Sequence, residues 1–210
     1  MGWVATPDSA RQIADMLSAS GLRNAGYRFI LLDGAPADLQ ALADHVRSRG
    51  IMLCSAPAQP GCPAFRKLDD SGYSAIEYRS QITQRALSTD PLLVAYDLRK
   101  AKPEFLNILF NRDVIALHQD SLGRPAERLL NDGDAEVWVK PLAGGDQAIA
   151  LFNRGNSPRE ISTLVPYPSR IVDLWSRREV HMPTEEFSAW VPAHGVVLLR
   201  ATPLTGPEPR

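Results

Sequence analysis

Four aspartates supply the carboxylates on which any catalysis by this chain would depend. Asp33 ends the apolar run YRFILLD and Asp97 follows the run LLVAY, whereas Asp69 and Asp70 lie together in KLDDSGY. A carboxylate held against a ligand can act as a nucleophile, a general acid or a general base. Each also has a simpler interpretation. Asp33 could cap a helix, Asp69 and Asp70 could be solvated turn residues, and Asp97 could pair with Arg99.

Other kinds of chemistry find little support in the sequence. No group of His, Cys, Asp and Glu has the spacing of metal ligands, and no G-x-S-x-G motif occurs. Gly133 and Gly144–Gly145 are not followed by a helix, so they predict hairpin turns rather than phosphate-binding loops. We therefore expect neither a metal nor a cofactor.

Charge and hydropathy limit the kinds of partner. With 23 Lys and Arg against 24 Asp and Glu, the formal net charge is −1, which does not favour a nucleic-acid partner. No apolar stretch approaches the roughly 20 residues that span a bilayer, so we expect no membrane partner. The chain opens with MGWVATPDSA, in which no secretory signal is visible, and a cytoplasmic location is the default expectation.

The elements that must position the aspartates alternate between strand and helix over the first part of the chain. Continuous apolar runs are typical of parallel strands that are buried on both faces. They predict strands at Gly2–Ala5, Tyr27–Asp33, Ile51–Ser55 and Leu92–Tyr96. Helices are expected after Thr6, from about Pro36 to Gly50, over Ser74–Ser88 and from Pro103. The proline-rich stretch Ala56–Tyr73 has no periodicity and predicts a loop.

From Leu129 onward the apolar period changes to two, which is typical of antiparallel strands. Strand-like segments follow at short intervals: RLLND, AEVWVKPL, QAIALFNRG, Ser169–Trp175, Phe187–Val191 and Val196–Arg200. Turn residues separate several of them, so this part predicts an antiparallel β-sandwich. Trp138, Trp175 and Trp190 alternate with polar residues and are expected in its core. The alternative for these tryptophans is a face on which a sugar ring stacks.

Several phrases of the sequence follow one another in the order found in one enzyme family. They are EYRSQITQRALSTDPLLVAYDLRK at 77–100, VIALHQDSLG at 114–123, EVWVKPLAGGDQAIALFNRG at 136–155 and FSAWVPAHGVVLLR at 187–200. MGW at 1–3 and SGLRNAGYRFILLD at 20–33 precede them. In these phrases the chain resembles the α-galactosidases of glycoside hydrolase family 27. The resemblance implies a (β/α)8 barrel, a C-terminal β-domain, and retaining glycoside hydrolysis by two carboxyl groups about 5 Å apart.

The room available for the barrel is too small for a complete one. A (β/α)8 barrel takes about 250 residues, whereas the β-domain is expected to begin near Leu129. We therefore predict an α/β plus all-β protein: a partial, half TIM-type barrel at 1–126, an antiparallel β-sandwich at 127–203 and a flexible tail at 204–210. By resemblance LLVAYDLR is the eighth barrel strand, and the join to it falls within Ala56–Tyr73. The retained strands should then pair in the order 3-2-1-8.

The catalytic pattern of the family is only partly present. In the α-galactosidases the nucleophile is the Asp of a K-Y-D-x-C-type motif, and no such motif occurs in this sequence. The acid/base Asp belongs to a D-P-D-M-type segment ahead of the EYRS-type helix, where this chain has Asp69 and Asp70. Asp97 matches a family Asp at the end of the eighth strand. The resemblance therefore leaves Asp69, Asp70 and Asp97 as weak candidates for catalytic residues.

The sugar-binding pattern differs as well. The family opens with M-G-W-x-x-W, whose second tryptophan lies under the galactose ring; this chain keeps Trp3 and has Thr6 at the second position. The D-D-x-W-type pattern of the family becomes Asp33, Gly34 and Pro36. The resemblance thus carries a sugar-binding role over to Asp33 and Trp3.

Three functional interpretations stay open at this point. In the first, the chain is a truncated α-galactosidase-like protein that is catalytically inactive and keeps at most residual binding of a galactoside-like carbohydrate. In the second, it is an active glycoside hydrolase with a rebuilt carboxylate site, formed within one chain or across a dimer. In the third, it is a deletion product without a selected activity. Whether the chain is an enzyme is therefore undecided by the sequence.

A half barrel also predicts a homodimer. The runs FILL, IMLC and LLVA would expose apolar side chains on one face, and strands three and eight would be open edges. Two four-stranded halves related by a two-fold axis would cover both. The competing expectation is that the Ala56–Tyr73 loop or the β-sandwich covers the exposed face.

The two cysteines, Cys54 and Cys62, are too few for a disulfide scaffold. Two free thiols are the expected state, and a local Cys54–Cys62 disulfide is the alternative. By resemblance Cys62 matches a family cysteine whose disulfide partner lies in a segment that this chain lacks. Members of that family are often secreted, in contrast to the default location given above.

Overall fold

Two units build the fold, and each is assembled from two separate stretches of the chain. In a computed structural model, residues 2–34, 36–55, 66–68, 72–89, 92–94, 102–166, 168–182 and 184–204 are described. The first unit comprises Met1–Gly72 and Asp90–Phe110, and the second comprises Tyr73–Thr89 and Asn111–Arg210. The expected boundary between residues 126 and 127 follows sequence order instead, and it stays a prediction about independent domains.

The first unit holds five strands and four helices among its described residues. The strands are β1 (Gly2–Ala5), β2 (Phe29–Leu32), β3 (Met52–Ser55), β4 (Arg66–Leu68) and β5 (Leu92–Val94). The helices are α1 (Pro7–Ala19), α2 (Leu22–Ala25), α3 (Leu39–Ser48) and α5 (Pro103–Leu109), while α4 (Ala75–Leu87) and α6 (Arg112–His118) belong to the second unit.

The five strands form one parallel sheet in the order β3-β2-β1-β5-β4. Strand β5 pairs beside β1, with Gly2 level with Leu93 and Trp3 level with Val94. The predicted order 3-2-1-8 is therefore confirmed, together with a partial β/α barrel as the fold of this part. One expectation is wrong: the stretch predicted as a loop contains β4, which pairs with β5. The sheet thus has five strands instead of four, and β5 is not an edge.

Local sequence explains why the helices of this unit form where they do. Helix α1 begins at Pro7, with Thr6 as its N-cap residue. It buries Ala10, Ile13, Ala14 and Leu17, which fall at helical spacing. Helix α3 begins at Leu39 and not near Pro36, because the carboxylate of Asp38 accepts a hydrogen bond from the backbone N–H of Ala41 at 2.9 Å and so caps the helix.

The carboxylate of Asp15 in α1 links this helix to the C-terminal end of α3. Oδ1 of Asp15 accepts hydrogen bonds from Nε of Arg49 at 2.6 Å and pairs with Nε2 of His45 at 3.1 Å. The hydrogen bond from Arg49 lowers the pKa of Asp15 below its ordinary value. Further along the unit, the buried hydroxyl of Tyr27 donates to the carbonyl of Leu109 at 3.2 Å.

The second unit carries the antiparallel sandwich, which confirms the predicted fold of this part. Its strands are β6 (Glu127–Asp132), β7 (Ala135–Pro141), β8 (Gln147–Asn153), β9 (Arg159–Leu164), β10 (Ser169–Asp173), β11 (Arg178–Val180), β12 (Glu186–Val191) and β13 (Val196–Pro203). A six-stranded sheet has the order β11-β10-β13-β8-β7-β6, and β12 pairs with β9 in a second sheet. The sequence did not predict β9 or β11.

An apolar core fills the space between the two sheets. It includes Val137, Ile149, Leu151 and Leu199 of the larger sheet and Ile161 of the smaller one, all at most 2% exposed. Alternate residues of these strands point to the core and away from it, as the period of two requires. Since Phe152 and Leu198 are also fully buried on the opposite phase, the larger sheet is covered on both faces.

Helix α4 packs on the second face of the larger sheet, against β8 and β13, and α6 packs on α4. Nζ of Lys140 on β7 donates to the carbonyl of Ala86 in α4 at 2.9 Å, and Oγ of Ser80 in α4 donates to the carbonyl of His194 at 2.7 Å. Burial lowers the pKa of Lys140, and the charge of Asp120 opposes that shift only in part. The unit therefore consists of a helical layer and two sheets.

The expectation that three tryptophans lie in the sandwich core is wrong. Trp138 is half-buried and donates from Nε1 to Glu136, and Trp175 is half-buried and donates to the hydroxyl of Thr83, each at 3.0 Å. Trp190 is 70% exposed. Trp138 and Trp190 occupy the phase of their strands that faces away from the core, and Trp175 lies in the turn after β10.

The structure also corrects the interpretation of the cysteines. Cys54 is fully buried in β3 and is disulfide-bonded, so the expectation of two free thiols is wrong. The other cysteine of the chain, Cys62, lies outside the described residues, as do residues 205–210 of the expected tail. Over the described ranges, no helix has the length and apolar character needed to cross a bilayer.

Candidate functional site

The carboxyl ends of the five parallel strands meet at one edge of the sheet. Ala5, Leu32 and Ser55 stand level with one another at the ends of β1, β2 and β3. Leu68 and Val94 stand level at the ends of β4 and β5. In parallel α/β folds, ligands and catalytic groups gather at this edge, because the loops that follow the strands converge there.

Asp33 lies at this edge, as the sequence predicts. It follows the last residue of β2, and its backbone N–H donates to the carbonyl of Ala5 at 2.8 Å, which holds it against the end of β1. Its side chain is exposed. Trp3 lies within β1, level with Ile30 and Val94. The sugar-binding roles of Asp33 and Trp3 stay predictions.

The three candidate catalytic residues fall outside the described parts of the chain. Asp69 and Asp70 directly follow β4 in sequence, and Asp97 comes three residues after β5. The described ends of those two strands are neighbours in the sheet. The structure therefore places the strand ends that precede these carboxylates beside one another, and the roles of the carboxylates themselves stay predictions.

Thr6 caps the N-terminus of helix α1. Its backbone N–H donates to Oγ of Ser9 at 3.0 Å, its hydroxyl lies 2.9 Å from the same Oγ, and its carbonyl accepts from the backbone N–H of Ser9 at 3.1 Å. This position follows the end of β1 directly. A residue that satisfies the first turn of a helix in this way has a structural reason to be a threonine.

Gly34 has a backbone conformation that few other residues adopt. Its φ angle is +105°, and an added Cβ would contact only the ring of Pro7, at an ordinary 3.6 Å. Space is therefore available for a side chain, but the backbone disfavours one. The chain leaves the edge of the sheet at Gly34 along a path that suits glycine and not aspartate.

A cleft of about 440 Å³ opens at the other end of the sheet. Phe29 and Met52, the first residues of β2 and β3, line it together with Arg28 and with Arg47 of α3. No pattern in the sequence predicted this cleft. Because it lies at the amino ends of the strands, it is separate from the edge that carries Asp33.

Within the described stretches, no group of three His, Cys, Asp or Glu side chains could hold a metal ion. The sequence interpretation placed Trp190 in the core, with a sugar-stacking face as the alternative, although the phase of its strand indicates exposure. Phe187, Ala189 and Val191 form the apolar phase of β12, which puts Trp190 on the opposite, polar phase with Ser188.

Comparison with known proteins identifies relatives of this chain. A family model described as the alpha galactosidase C-terminal beta sandwich domain matches residues 132–201. An α-galactosidase of Coffea arabica is 35% identical over 144 residues, which cover 65% of this chain and 38% of the relative. α-Galactosidase 2 of Arabidopsis thaliana is 32% identical over 155 residues, which cover 69% of this chain and 39% of that relative. The chain thus spans about two fifths of the length of these curated relatives.

Solved structures with the same fold include glycosidases of two specificities. α-Galactosidase I from Mortierella vinacea superimposes with a TM-score of 0.82 at 16% identity, covering 98% of this chain and 97% of that chain. A β-L-arabinopyranosidase of glycoside hydrolase family 27 from Geobacillus stearothermophilus superimposes with a TM-score of 0.63 at 16% identity. The match covers 93% of this chain and 62% of that chain. At these identities the likeness concerns the fold alone.

Proposed function

Because this chain belongs to the α-galactosidase-like family 27 of the glycoside hydrolases, we propose that it is a catalytically inactive member of that family. In this proposal it keeps at most a residual ability to bind a galactoside-like carbohydrate, and the edge of the sheet that carries Asp33 is the binding site. The sequence contains no K-Y-D-x-C-type motif to supply a nucleophile.

The observation that carries the proposal is the backbone at Gly34. The family pattern expects a second aspartate there to bind galactose hydroxyls, and this chain has glycine with a φ of +105°. Side chains are rarely tolerated at such an angle, so the departure from the pattern involves the path of the chain and not one side chain only. Thr6, at the position of the second tryptophan, supports the same conclusion because its groups are used to cap α1.

One specific observation favours the alternative, an active glycoside hydrolase with a rebuilt site. Strand β4, which the sequence did not predict, ends at Leu68 beside the end of β5, and Asp69 and Asp70 follow it directly in sequence. Parallel strands that end side by side send their next residues to one edge. A general acid alone contributes about 10²–10⁴ in rate, far less than a complete glycosidase.

The test of this proposal is turnover of nitrophenyl glycosides. We expect no release of nitrophenol above the buffer rate from α-D-galactoside, β-D-galactoside or β-L-arabinopyranoside at micromolar protein. A cooperative urea transition recorded on the same sample establishes that the protein is folded. Turnover that is abolished by Asp33→Asn or Asp70→Asn, but not by the exposed control Asp44→Asn on α3, would establish the active alternative and sink the proposal.

We also propose that the chain forms a homodimer through the first unit. Phe29 is level with Met52 in the sheet, so both side chains lie on one face. Met52 is 48% exposed, and Phe29 and Leu31 are only half-buried, whereas Ile30 and Leu32 on the other phase are at most 1% exposed. Among the described strands, β3 and β4 end the sheet, and such edges favour pairing with a second chain.

Light scattering at low protein concentration decides the state of association. We expect a mass about twice the 23.1 kDa of one chain, with two five-stranded sheets in place of the two four-stranded halves that the sequence suggested. Met52→Glu should shift the protein to the mass of one chain, because it puts a charge into the shared apolar face. Leu122→Glu, at a residue 44% exposed in the second unit, is the matched control. A mass near 23.1 kDa for the unaltered protein contradicts the dimer.

A further inference from the structure

The most exposed large apolar side chain of the described residues is Trp190, at 70%. It lies on β12, whose only partner among the described strands is β9. Ile161 and Val191 of these strands are at most 2% exposed and face the sandwich core. The opposite phase of the two strands, with Trp190 on it, forms a surface that we call the outer β9–β12 face.

The register of the two strands defines what surrounds the indole. Trp190 stands directly opposite Glu160, and Ser188 stands opposite Ser162 on the adjacent outward rung. The two serine hydroxyls are 2.6 Å apart, so one donates to the other. Residues opposite one another in antiparallel strands have Cβ atoms about 5 Å apart, and successive outward residues of a strand are about 7 Å apart. A carboxylate and two hydroxyls therefore surround the ring within the reach of one small cyclic ligand.

Trp190 differs from the other two tryptophans of the second unit. The indole of Trp138 donates to Glu136 and has Arg128 over its ring at 5.6 Å, and the indole of Trp175 donates to Thr83 and has Arg79 over its ring at 5.9 Å. No such hydrogen bond or cation was found at Trp190 among the described residues. Its ring face and its N–H are both available to a ligand.

Charge narrows the class of ligand. The outward positions of the face are Glu160, Ser162, Leu164, Glu186, Ser188 and Trp190, of which two are acidic and none is basic. Phosphates, nucleic acids and acidic polymers would be repelled. A neutral polyol suits the groups present, since Glu160 accepts hydrogen bonds from hydroxyls and each serine both donates and accepts.

We propose that the outer β9–β12 face is a carbohydrate-binding surface. One pyranose ring of a neutral saccharide packs its C–H groups on the electron-rich face of Trp190, and its hydroxyls bind to Glu160 and to the Ser162–Ser188 pair. The surface is exposed and lacks walls, so it fits a residue within a polysaccharide chain better than an enclosed monosaccharide. It lies in the second unit and does not depend on the proposed role of Asp33.

Affinity electrophoresis of the whole protein through gels that contain a soluble polysaccharide tests this proposal. The probes are galactomannan, xyloglucan and soluble starch, with a gel without polysaccharide as reference. We expect retardation by at least one of them, at least a tenfold loss of affinity in Trp190→Ala, and partial rescue in Trp190→Phe. Glu160→Gln should weaken binding several-fold without loss of the folded state. Leu204→Ala, at a residue 66% exposed on the same unit, is the matched control.

Each remaining result overturns the proposal. Absence of retardation by all three polysaccharides excludes a saccharide surface, as does retardation that Trp190→Ala leaves unchanged. If Asp33→Asn abolishes retardation and Trp190→Ala does not, the carbohydrate binds at the edge of the sheet. If Trp190→Ala changes the mass in light scattering, the face is an interface between two chains.

Discussion

Replacing Asn153 by aspartate should lower the free energy of unfolding by about 3 kcal/mol or more, the largest effect we expect from a change of so few atoms. Asn153 ends β8 and is 1% exposed. Its Nδ2 donates to the carbonyls of Ser157, Val191 and Pro192 at 2.8, 3.0 and 3.1 Å. Its Oδ1 accepts from the N–H of Gly155 at 2.9 Å.

Aspartate would turn the donor into a second acceptor. A carboxylate oxygen would then face three carbonyl oxygens in a buried position, so three hydrogen bonds would be lost and a charge would be desolvated with no cation to balance it. Urea denaturation followed by tryptophan fluorescence measures the effect, since three of the four tryptophans lie in the second unit. A lower midpoint with an unchanged slope is expected.

Asn156→Asp is the control for this experiment. It makes the same chemical change three residues away at an exposed position, and surface substitutions usually stay within about 0.5 kcal/mol. If both variants lose a similar small amount, Asn153 does not hold the three carbonyls and the network we describe is wrong.

The second large effect is expected at Gly195, in the turn between β12 and β13. An added Cβ would lie 2.9 Å from the carbonyl oxygen of Pro192 and within 3.2 Å of two atoms of its ring. The backbone N–H of Gly195 donates to that same oxygen at 2.9 Å, so the turn cannot open without loss of the bond. We expect Gly195→Ala to cost about 2–3 kcal/mol by overpacking.

Gly133→Ala provides the comparison, because nothing lies within 4 Å of its added Cβ while its φ of +56° strains alanine and most other residues. Its cost should be about 1 kcal/mol, from the backbone alone. Asparagine tolerates a positive φ, so Gly133→Asn should recover part of that loss and Gly195→Asn should recover none. A Gly195→Ala variant as stable as the unaltered protein would refute the close approach of Pro192.

The extent to which the fold follows from sequence differs between the two kinds of strand. The run YRFILLD has an apolar centre, FILL, and LLVAY is apolar throughout. Both were predicted as buried parallel strands that lie near β1. Strand β4 reads RKL, three residues of which two are charged, and carries no periodic signal. This strand forms because its backbone pairs with that of β5. Pairing of this kind is a tertiary effect, which a local pattern does not contain.

Helix α6 illustrates a different limit. Asn111 caps the N-terminus of this helix, which runs from Arg112 to His118. The side-chain oxygen of Asn111 accepts from the N–H groups of Asp113 and Val114, and its amide donates to the carbonyl of Leu174 at 2.8 Å. An asparagine ahead of an acidic residue is a recognisable cap. The bond to a residue far along the chain could not be foreseen.

The candidate site was predictable in position and not in chemistry. Asp33 could be placed at a strand end from the apolar run before it, and the structure puts it there. The sequence shows that glycine stands at position 34 in place of the second aspartate of the family pattern. It does not show that the φ angle of Gly34 is +105°. Trp190 was assigned to the core because an apolar side chain was given more weight than its phase in the strand.

The interleaving of the two units bears on how the chain folds as it leaves the ribosome. Helix α4 buries Tyr78, Ile82 and Ala86 against elements that include β8 and β13. Strand β13 is synthesised about a hundred residues later, which takes on the order of ten seconds at common elongation rates. During that interval the part of α4 that packs on β13 has no partner, although α6 can already contact the helix, and β5 can already join the sheet of the first unit. Slow synthesis should therefore increase the demand for chaperones that bind an exposed amphipathic helix.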